Sequence, residues 1–211
     1  MIKNIIFDFD GVILDSVPVK TEAFRKLFNQ FPMEKVELLI DFHLKNGGMS
    51  RYKKIEYFFT YILKQSIENK NILEYAQIYS SITKEELAQT KYLIEDSMNF
   101  IKLNYKQYNM HIASGADEED LKYICKQLDL KQYFLSIHGS PEIKSNIVHG
   151  ILANNNYKKN ETVLIGDSIN DFEAANKNDI GFYGFNNENL KKGFNYIDYF
   201  NGLDFDQEKN C

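Results

Sequence analysis

Cysteine is nearly absent from the chain: Cys125 and Cys211 lie far apart and fit neither a CxxC motif nor a metal-ligand spacing. A disulfide scaffold and a thiolate metal centre are thereby excluded, and a reducing compartment is expected. No stretch approaches the ~18 uninterrupted apolar residues of a membrane span. The apolar run after Lys3 is broken at Asp8, so no signal peptide is read, and a cytoplasmic location is expected. A basic face is also missing. Lys and Arg number 25 against 30 Asp and Glu, a net charge of −5, with no dense Lys/Arg block. Binding along a nucleic-acid backbone is therefore not expected. Tryptophan is absent too. The three prolines stand where elements begin or end: Pro18 in a first helical turn, Pro32 at a break, and Pro141 after a strand.

What is present is ordinary for a globular chain. Of 211 residues, 44% are hydrophobic and 26% charged, with 14 Tyr and 16 Phe. That length suits one large domain or a domain with an insert. The stretch that organises the rest comes first. Ile5, Ile6 and Phe7 read as a buried strand of a parallel sheet, and the strand runs into Asp8-Phe9-Asp10-Gly11. Two carboxylates at the end of a buried strand repel each other in a dry site unless a cation or a reaction accounts for them.

Val12 to Pro18 reads as a tight excursion leading to a helix that Asp15 or Ser16 could cap. From about 16 to 88 the pattern is helical. Segments are expected at about 19–30, 34–44, to about 64, 67–81 and 83–93, with Asn46-Gly47-Gly48 as a strong stop. The pattern then changes to alternating strands and helices. Strands are expected at 109–115, 134–138, 162–165 and 180–183, with helices between them, which argues for βαβ units. The fold class expected is α/β, a Rossmann-like parallel sheet with an inserted α-helical cap domain. Residues 1–15 and 89–211 form the core and residues 16–88 the cap. Insertion at that point covers a site at the carboxyl ends of the strands. The tail from Asn201, including Asp204-Phe205-Asp206, reads as polar surface.

Three further stretches sit at strand ends. Ser114, followed by Gly115, offers a hydroxyl beside flexible backbone N–H groups, which suits a phosphate oxygen or an ordinary turn. Lys144 lies near a helix N-terminus, where the dipole disfavours a cation; it is either solvated or matched by an anionic cluster. Gly166-Asp167-Ser168-Ile169-Asn170-Asp171 follows an apolar run and brings Asp167 and Asp171 to roughly one face of a helix. With Asp8 and Asp10 these make four carboxylates at two strand ends. Clustered oxygens without His or Cys select a hard cation, Mg²⁺, which commonly accompanies a phosphate substrate.

In this order the motifs resemble those of the haloacid dehalogenase (HAD) superfamily: hhhhDxDGV over Ile5 to Val12, a strand ending at Ser114, Lys144 after Gly-Ser-Pro, and GDSxND over Gly166 to Asp171. The helical insert is similar to the small (C1-type) cap of the phosphoglycolate phosphatase and β-phosphoglucomutase branch. The resemblance implies that Asp8 is the nucleophile that forms an aspartyl-phosphate, and that Asp10 is the general acid and base. It places Mg²⁺ on Asp8, the Asp10 carbonyl and Asp167, with Asp171 supporting the shell through water or Lys144. Ser114 and Lys144 hold phosphoryl oxygens, and Gly11 and Gly115 admit backbone N–H groups to the phosphate. A carboxylate at Asp10 favours ester chemistry over C–halogen or C–P cleavage.

In the cap, Gly47-Gly48-Met49-Ser50-Arg51 places an arginine just after a glycine hinge. Arg51 either grips a second anionic group on the substrate or belongs to a solvated basic helix start with Lys53 and Lys54. The Gly-x-Ser-Arg pattern resembles the cap loop of the β-phosphoglucomutase type. His43 is a possible substrate contact; His111, His138 and His149 read as structural. The expected activity is Mg²⁺-dependent hydrolysis of a small phosphomonoester, a sugar phosphate or similar. A sugar phosphomutase is the alternative. The short cap and the Asn/Lys/Ile-rich composition resemble phosphatases of surface-polysaccharide pathways. The partner is a small phosphorylated metabolite, with no membrane or nucleic acid. Whether the chain is a monomer or a homodimer is left open.

Overall fold

The structure is a computed structural model that describes residues 1–203 and 205. Six parallel strands form one sheet: β1 (Asn4–Phe7), β2 (Asn109–Asp117), β3 (Ser136–Ser140), β4 (Thr162–Gly166), β5 (Gly181–Phe185) and β6 (Asn195–Ile197), in the order β3-β2-β1-β4-β5-β6. The first strand is thus central. Its short apolar run is buried on both faces, as a middle parallel strand requires. The chain winds outward from β1 first one way and then the other. The order therefore reverses between β1 and β4, where α/β sheets leave a crevice at their carboxyl ends.

Helices α5 (Glu95–Asn104) and α6 (Glu118–Gln127) cover one face, over a cluster that includes Ile5, Phe7, Ile101, Met110, Ile112 and Leu121. Helices α7 (Lys144–Asn155) and α8 (Ile169–Lys177) cover the other, over Ile6, Ala113, Val148, Leu164 and Ala175. Burial of each such aliphatic side chain contributes ~1.5–3 kcal/mol before conformational entropy is counted.

Between β1 and α5 the chain makes four α-helices, α1 (Val17–Leu27), α2 (Met33–Lys45), α3 (Arg51–Tyr57) and α4 (Asn69–Leu87). They pack around an aromatic cluster of their own, with Phe24, Phe28, Phe58, Phe59 and Tyr79 among its members. The strands of chain that enter and leave this block lie side by side. Asp15 N–H donates to the Tyr92 carbonyl at 2.8 Å and Ile94 N–H to the Ile13 carbonyl at 2.9 Å.

Several expectations are corrected in detail. The segments expected at 67–81 and 83–93 are one helix, α4, followed by a 3₁₀ turn at Thr90–Tyr92. Ser81 and Thr83 do not end it, because their hydroxyls donate back to the Ile78 and Tyr79 carbonyls of the same helix. The strand expected at 134–138 lies two residues later. The strand expected at 109–115 continues to Asp117, which caps α6 by accepting from the Glu119 and Asp120 N–H groups. β6, three residues long, has too little alternation to be read from sequence. Ser16 occupies the N-cap position of α1 without capping it, since its hydroxyl is used elsewhere. Phe205 is not surface: it is buried against Phe100, Tyr108 and Tyr183, whereas Asp204 and Asp206 lie outside the described residues. Among the described residues no helix is long and apolar enough to cross a membrane.

Candidate active site

The carboxyl ends of β1 and β4 are adjacent, so the residues that follow each strand share one crevice. Asp8 follows β1 directly and is 1% exposed. Its Oδ1 accepts from the Phe9 N–H at 2.7 Å and meets Lys144 Nζ at 2.8 Å, whereas its Oδ2 is buried with no hydrogen-bond partner. Asp167 follows β4, and Asp171 lies in the first turn of α8. Oxygens from Asp8, Asp167 and Asp171 all lie within 4.8 Å of one another. Burial, and then the neighbouring Asp171 charge, push Asp8 up to about 7 in spite of Lys144; burial and Asp8 hold Asp167 well above the usual carboxylate range. Three crowded carboxylates and an orphaned buried oxygen, with no nitrogen or sulfur donor among them, fit a hard divalent cation.

Lys144 is the first residue of α7, but its side chain is buried and turns inward. It pairs with Asp8 and, through a short contact, with Asp171 Oδ1. Burial works against its charge, yet the two carboxylates outweigh it and hold the ammonium firmly protonated. The anionic cluster thus explains a cation at a helix N-terminus. The other Asp171 oxygen accepts from the Ser168 N–H at 3.1 Å and the Ser168 hydroxyl at 2.7 Å, so both of its oxygens are engaged. Ser114, fully buried, accepts from the Ala116 N–H at 3.0 Å, which leaves its hydroxyl hydrogen for a ligand.

The Asp10 carboxylate stands apart from the other three. It accepts from Ser16 Oγ at 2.6 Å and from Lys20 Nζ at 2.5 Å. Burial raises its pKa, but Lys20 and Ser16 outweigh that and set it below the ordinary value. Sequence reading passed over Lys20, whose only signal was its place one turn into α1. It also passed over Asn186 and Asn187, directly after β5 at the same end of the sheet. Asn186 Nδ2 donates to the Gly11 carbonyl at 3.0 Å and Asn187 Nδ2 to the Asp167 carbonyl at 2.7 Å, which ties the two acidic loops together.

Both glycines leave room for a close neighbour. The Gly11 N–H is taken by the Leu14 carbonyl at 2.8 Å, because the loop closes tightly on itself, so it is not free to meet a phosphate. Its backbone is left-handed (φ +76°), and a Cβ there would lie 2.0 Å from Asp167 Oδ2. Gly11→Ala is therefore expected to cost at least ~1–2 kcal/mol from backbone strain alone and to displace Asp167. Chemical denaturation together with loss of activity checks this. At Gly115 a Cβ would fall 1.9 Å from the Gly48 carbonyl, so this glycine lets the cap loop settle onto β2. The neighbouring Gly47 carbonyl accepts from Asn170 Nδ2.

Arg51 begins α3 but is nearly buried. It bridges cap and core, with Nη1 2.6 Å from Asp120 Oδ2 and Nη2 3.2 Å from Asp117 Oδ2. Its expected grip on a substrate anion thus competes with two carboxylates. Lys54, read with the solvated basic helix start, is instead buried, with Nζ 2.9 Å from His43 Nδ1. Cap and core residues together line one cavity, with Asp10, Lys20, His43, Arg51, Lys54 and Asp167 on its walls.

A parallel sheet with an acidic cluster, a buried lysine and a lid of helices at its switch point is the apparatus of a hydrolase that handles an anionic group. The chain belongs to the haloacid dehalogenase-like hydrolase family, whose model matches residues 5–185. It is 24% identical over 182 residues to a phosphorylated carbohydrates phosphatase of Thermotoga maritima, covering 82% of this chain and 80% of the relative. Solved structures with the same fold include a β-phosphoglucomutase from Clostridium difficile (21% identity, TM-score 0.76, 99% of this chain and 96% of that one). CbbY from Rhodobacter sphaeroides in complex with phosphate is another (16% identity, TM-score 0.77, 96% of each chain). Within the family this chain is an enzyme of the phosphatase kind.

Proposed function

We propose that the chain is a Mg²⁺-dependent phosphatase that hydrolyses a small phosphomonoester, of the sugar-phosphate class, through an aspartyl-phosphate on Asp8. The observation that carries this reading is Asp8 Oδ2: a buried carboxylate oxygen with no partner, beside a lysine and clustered with Asp167, which lines a cavity. The name of the Thermotoga maritima relative supports the substrate class. Asp8, Asp167 and the Asp10 carbonyl would hold Mg²⁺, which when bound lowers the repulsion between carboxylate nucleophile and anionic phosphate.

The chain's own residues do the rest. Asp8 attacks phosphorus, and the ester oxygen leaves with a proton from Asp10. Asp10 then takes a proton from the water that attacks the aspartyl-phosphate, and inorganic phosphate departs. Lys144 and the Ser114 hydroxyl meet the phosphoryl oxygens, and Asp171 positions Lys144 rather than touching substrate. Asp10 is ionised and paired with Lys20 in this arrangement, so it becomes an acid by exchanging Lys20 for a proton. Lys20 lies on α1, within residues 16–88, which serve as the cap; the exchange therefore couples to cap movement. Arg51, held by Asp117 and Asp120, latches the cap to the core.

A mutase is the second reading, favoured by the loop Gly48-Met49-Ser50-Arg51. Product analysis with phosphorylated sugars separates the two: turnover without free phosphate would overturn hydrolysis.

Metal dependence gives a pH test. Without metal, Asp8 retains a proton in the folded state that the unfolded chain has already released, so its contribution to stability falls as pH rises from about 4 towards about 7. Mg²⁺ competes with that proton. Millimolar Mg²⁺ is expected to raise Tm by several degrees at pH 8 and by much less at pH 5.5, and Asp167→Asn is expected to remove most of the rise. Thermal denaturation across pH checks it; equal shifts at both pH values count against a site built on Asp8.

A further inference from the structure

The cavity between cap and core carries three cations on its cap side, and two of them are matched. Lys20 faces Asp10 at 2.5 Å, and Arg51 faces Asp120 at 2.6 Å and Asp117 at 3.2 Å. Lys54 is not matched. It is 4% exposed, and among the described residues no carboxylate lies within ion-pair distance of it. Its one hydrogen-bond partner is His43 Nδ1, at 2.9 Å. An ammonium donates, so Nδ1 accepts and the imidazole hydrogen sits on Nε2. That Nε2 is itself buried without a partner. The imidazole N–H is therefore left without an acceptor, and the ammonium has a neutral ring nitrogen, not an anion, as its partner. A buried cation without a counter-ion is costly and is retained where a ligand supplies the charge.

We infer that Lys54, backed by His43, is a specificity-determining residue that binds a second anionic group, carboxylate or phosphate, carried by the alcohol part of the substrate. The inference rests on the phosphatase reading and deepens it. Its placement follows from the cavity. Lys54 and Asp10 line the same space, and on the phosphatase reading Asp10 protonates the departing alcohol, whereas Lys144, which meets the phosphoryl group, lines a second pocket and not this one. The group that Lys54 meets thus belongs to the leaving part. The carboxylates lining the cavity do not take its place: Asp117 and Asp120 are paired with Arg51, Asp10 with Lys20, and Asp167 lies beyond ion-pair distance of Lys54. The titration of the pair agrees. Burial and the Lys20 charge, against Asp10 and Asp167, push Lys54 down to about 7, and burial and Lys54 push His43 down to about 3; an anion bound at Lys54 opposes both shifts.

The test is steady-state hydrolysis by the Mg²⁺-loaded enzyme of four esters. 3-Phosphoglycerate carries a carboxylate and fructose 1,6-bisphosphate a second phosphate, while glycerol 3-phosphate and glucose 6-phosphate carry neither. Lys54→Gln keeps a donor for His43 and removes the charge; Lys54→Met removes both. Wild type is expected to prefer one of the two doubly anionic esters, which identifies the group. Lys54→Gln is expected to raise KM for that ester about tenfold or more, and for the singly anionic ones about twofold or less, with a small change in kcat. Equal effects on both classes, or a wild type that prefers the singly anionic esters, overturn the proposal, and the second result needs no variant to fold. Arg51→Ala serves as contrast, since loss of a latch lowers kcat/KM for all four alike. If wild type releases phosphate from none of them, the phosphatase reading fails separately. The subsite is then read as thermal stabilisation by 3-phosphoglycerate over glycerol 3-phosphate, and equal stabilisation of wild type and Lys54→Gln overturns it.

Discussion

An Asp8→Asn variant is expected to release phosphate at least ~10⁴-fold more slowly than wild type, a loss of ~5 kcal/mol of transition-state stabilisation. The amide is isosteric, and its oxygen can still accept from the Phe9 N–H and from Lys144, so the local fold has no reason to change. What the variant loses is the charge and nucleophilicity of Oδ2, the oxygen that no group in the structure engages. The metal-free variant is expected to be at least as stable as wild type. Asp8 is buried and held up near 7 by burial and Asp171, so its ionised form disfavours the folded state there. A fall in activity without a fall in Tm thus separates chemistry from folding. Residual activity above about a tenth of wild type would remove Asp8 as nucleophile; activity at that level is incompatible with loss of a group that forms the covalent intermediate.

Lys144→Met is expected to have the largest effect on stability, ~3–5 kcal/mol, because it leaves two buried carboxylates without their cation. The Lys144, Asp8 and Asp171 side chains are respectively 6%, 1% and 0% exposed, so solvent cannot replace the lost charge. Activity is expected to fall with stability, since the same ammonium faces the phosphoryl oxygens. A double variant, Lys144→Met with Asp171→Asn, distinguishes the electrostatic account from simple loss of packing. The two changes are expected to be less than additive, because removing Asp171's charge relieves the repulsion that the missing lysine exposed. Asparagine retains an acceptor for the Ser168 N–H, so the start of α8 is preserved. Denaturant midpoints for wild type and the three variants give the coupling; a cost below ~1 kcal/mol for Lys144→Met would mean that the cluster tolerates its own repulsion.

The difference between what could and could not be read from sequence follows from range. Asp8, Ser114, Lys144 and Asp167 are legible because each lies at or just beyond a strand that local periodicity can identify. Parallel winding then brings those ends together. The sequence pattern divides α4 at Ser81 and Thr83, yet both residues satisfy their hydroxyls within one continuous helix. Phe205 reads as surface because no buried-strand pattern precedes it, whereas its ring packs against Phe100 and Tyr183, which are distant in the chain.

Pairings are the other gap. Arg51 finds Asp117 and Asp120, Asn187 finds the Asp167 carbonyl, and Lys54 finds only a histidine. No local pattern states which cation meets which acid, and the answer decides function. A basic run of Arg51, Lys53 and Lys54 reads as uniform in sequence. In the fold its members part: Arg51 pairs with Asp117 and Asp120, and Lys54 is buried and lines a cavity.

The sequence by itself determined the family, the sheet-with-insert architecture and three of the acids that cluster, Asp8, Asp167 and Asp171, because strand periodicity and motif order are local properties that survive without coordinates. Only the tertiary structure decided the charge state and task of each group. Asp10 became a held carboxylate through Lys20, Gly11 a space for Asp167, and Lys54 a cation with no carboxylate in ion-pair distance among the described residues. Those roles depend on burial and on distances between residues far apart in the chain, and electrostatic energy in a dry crevice changes steeply with both.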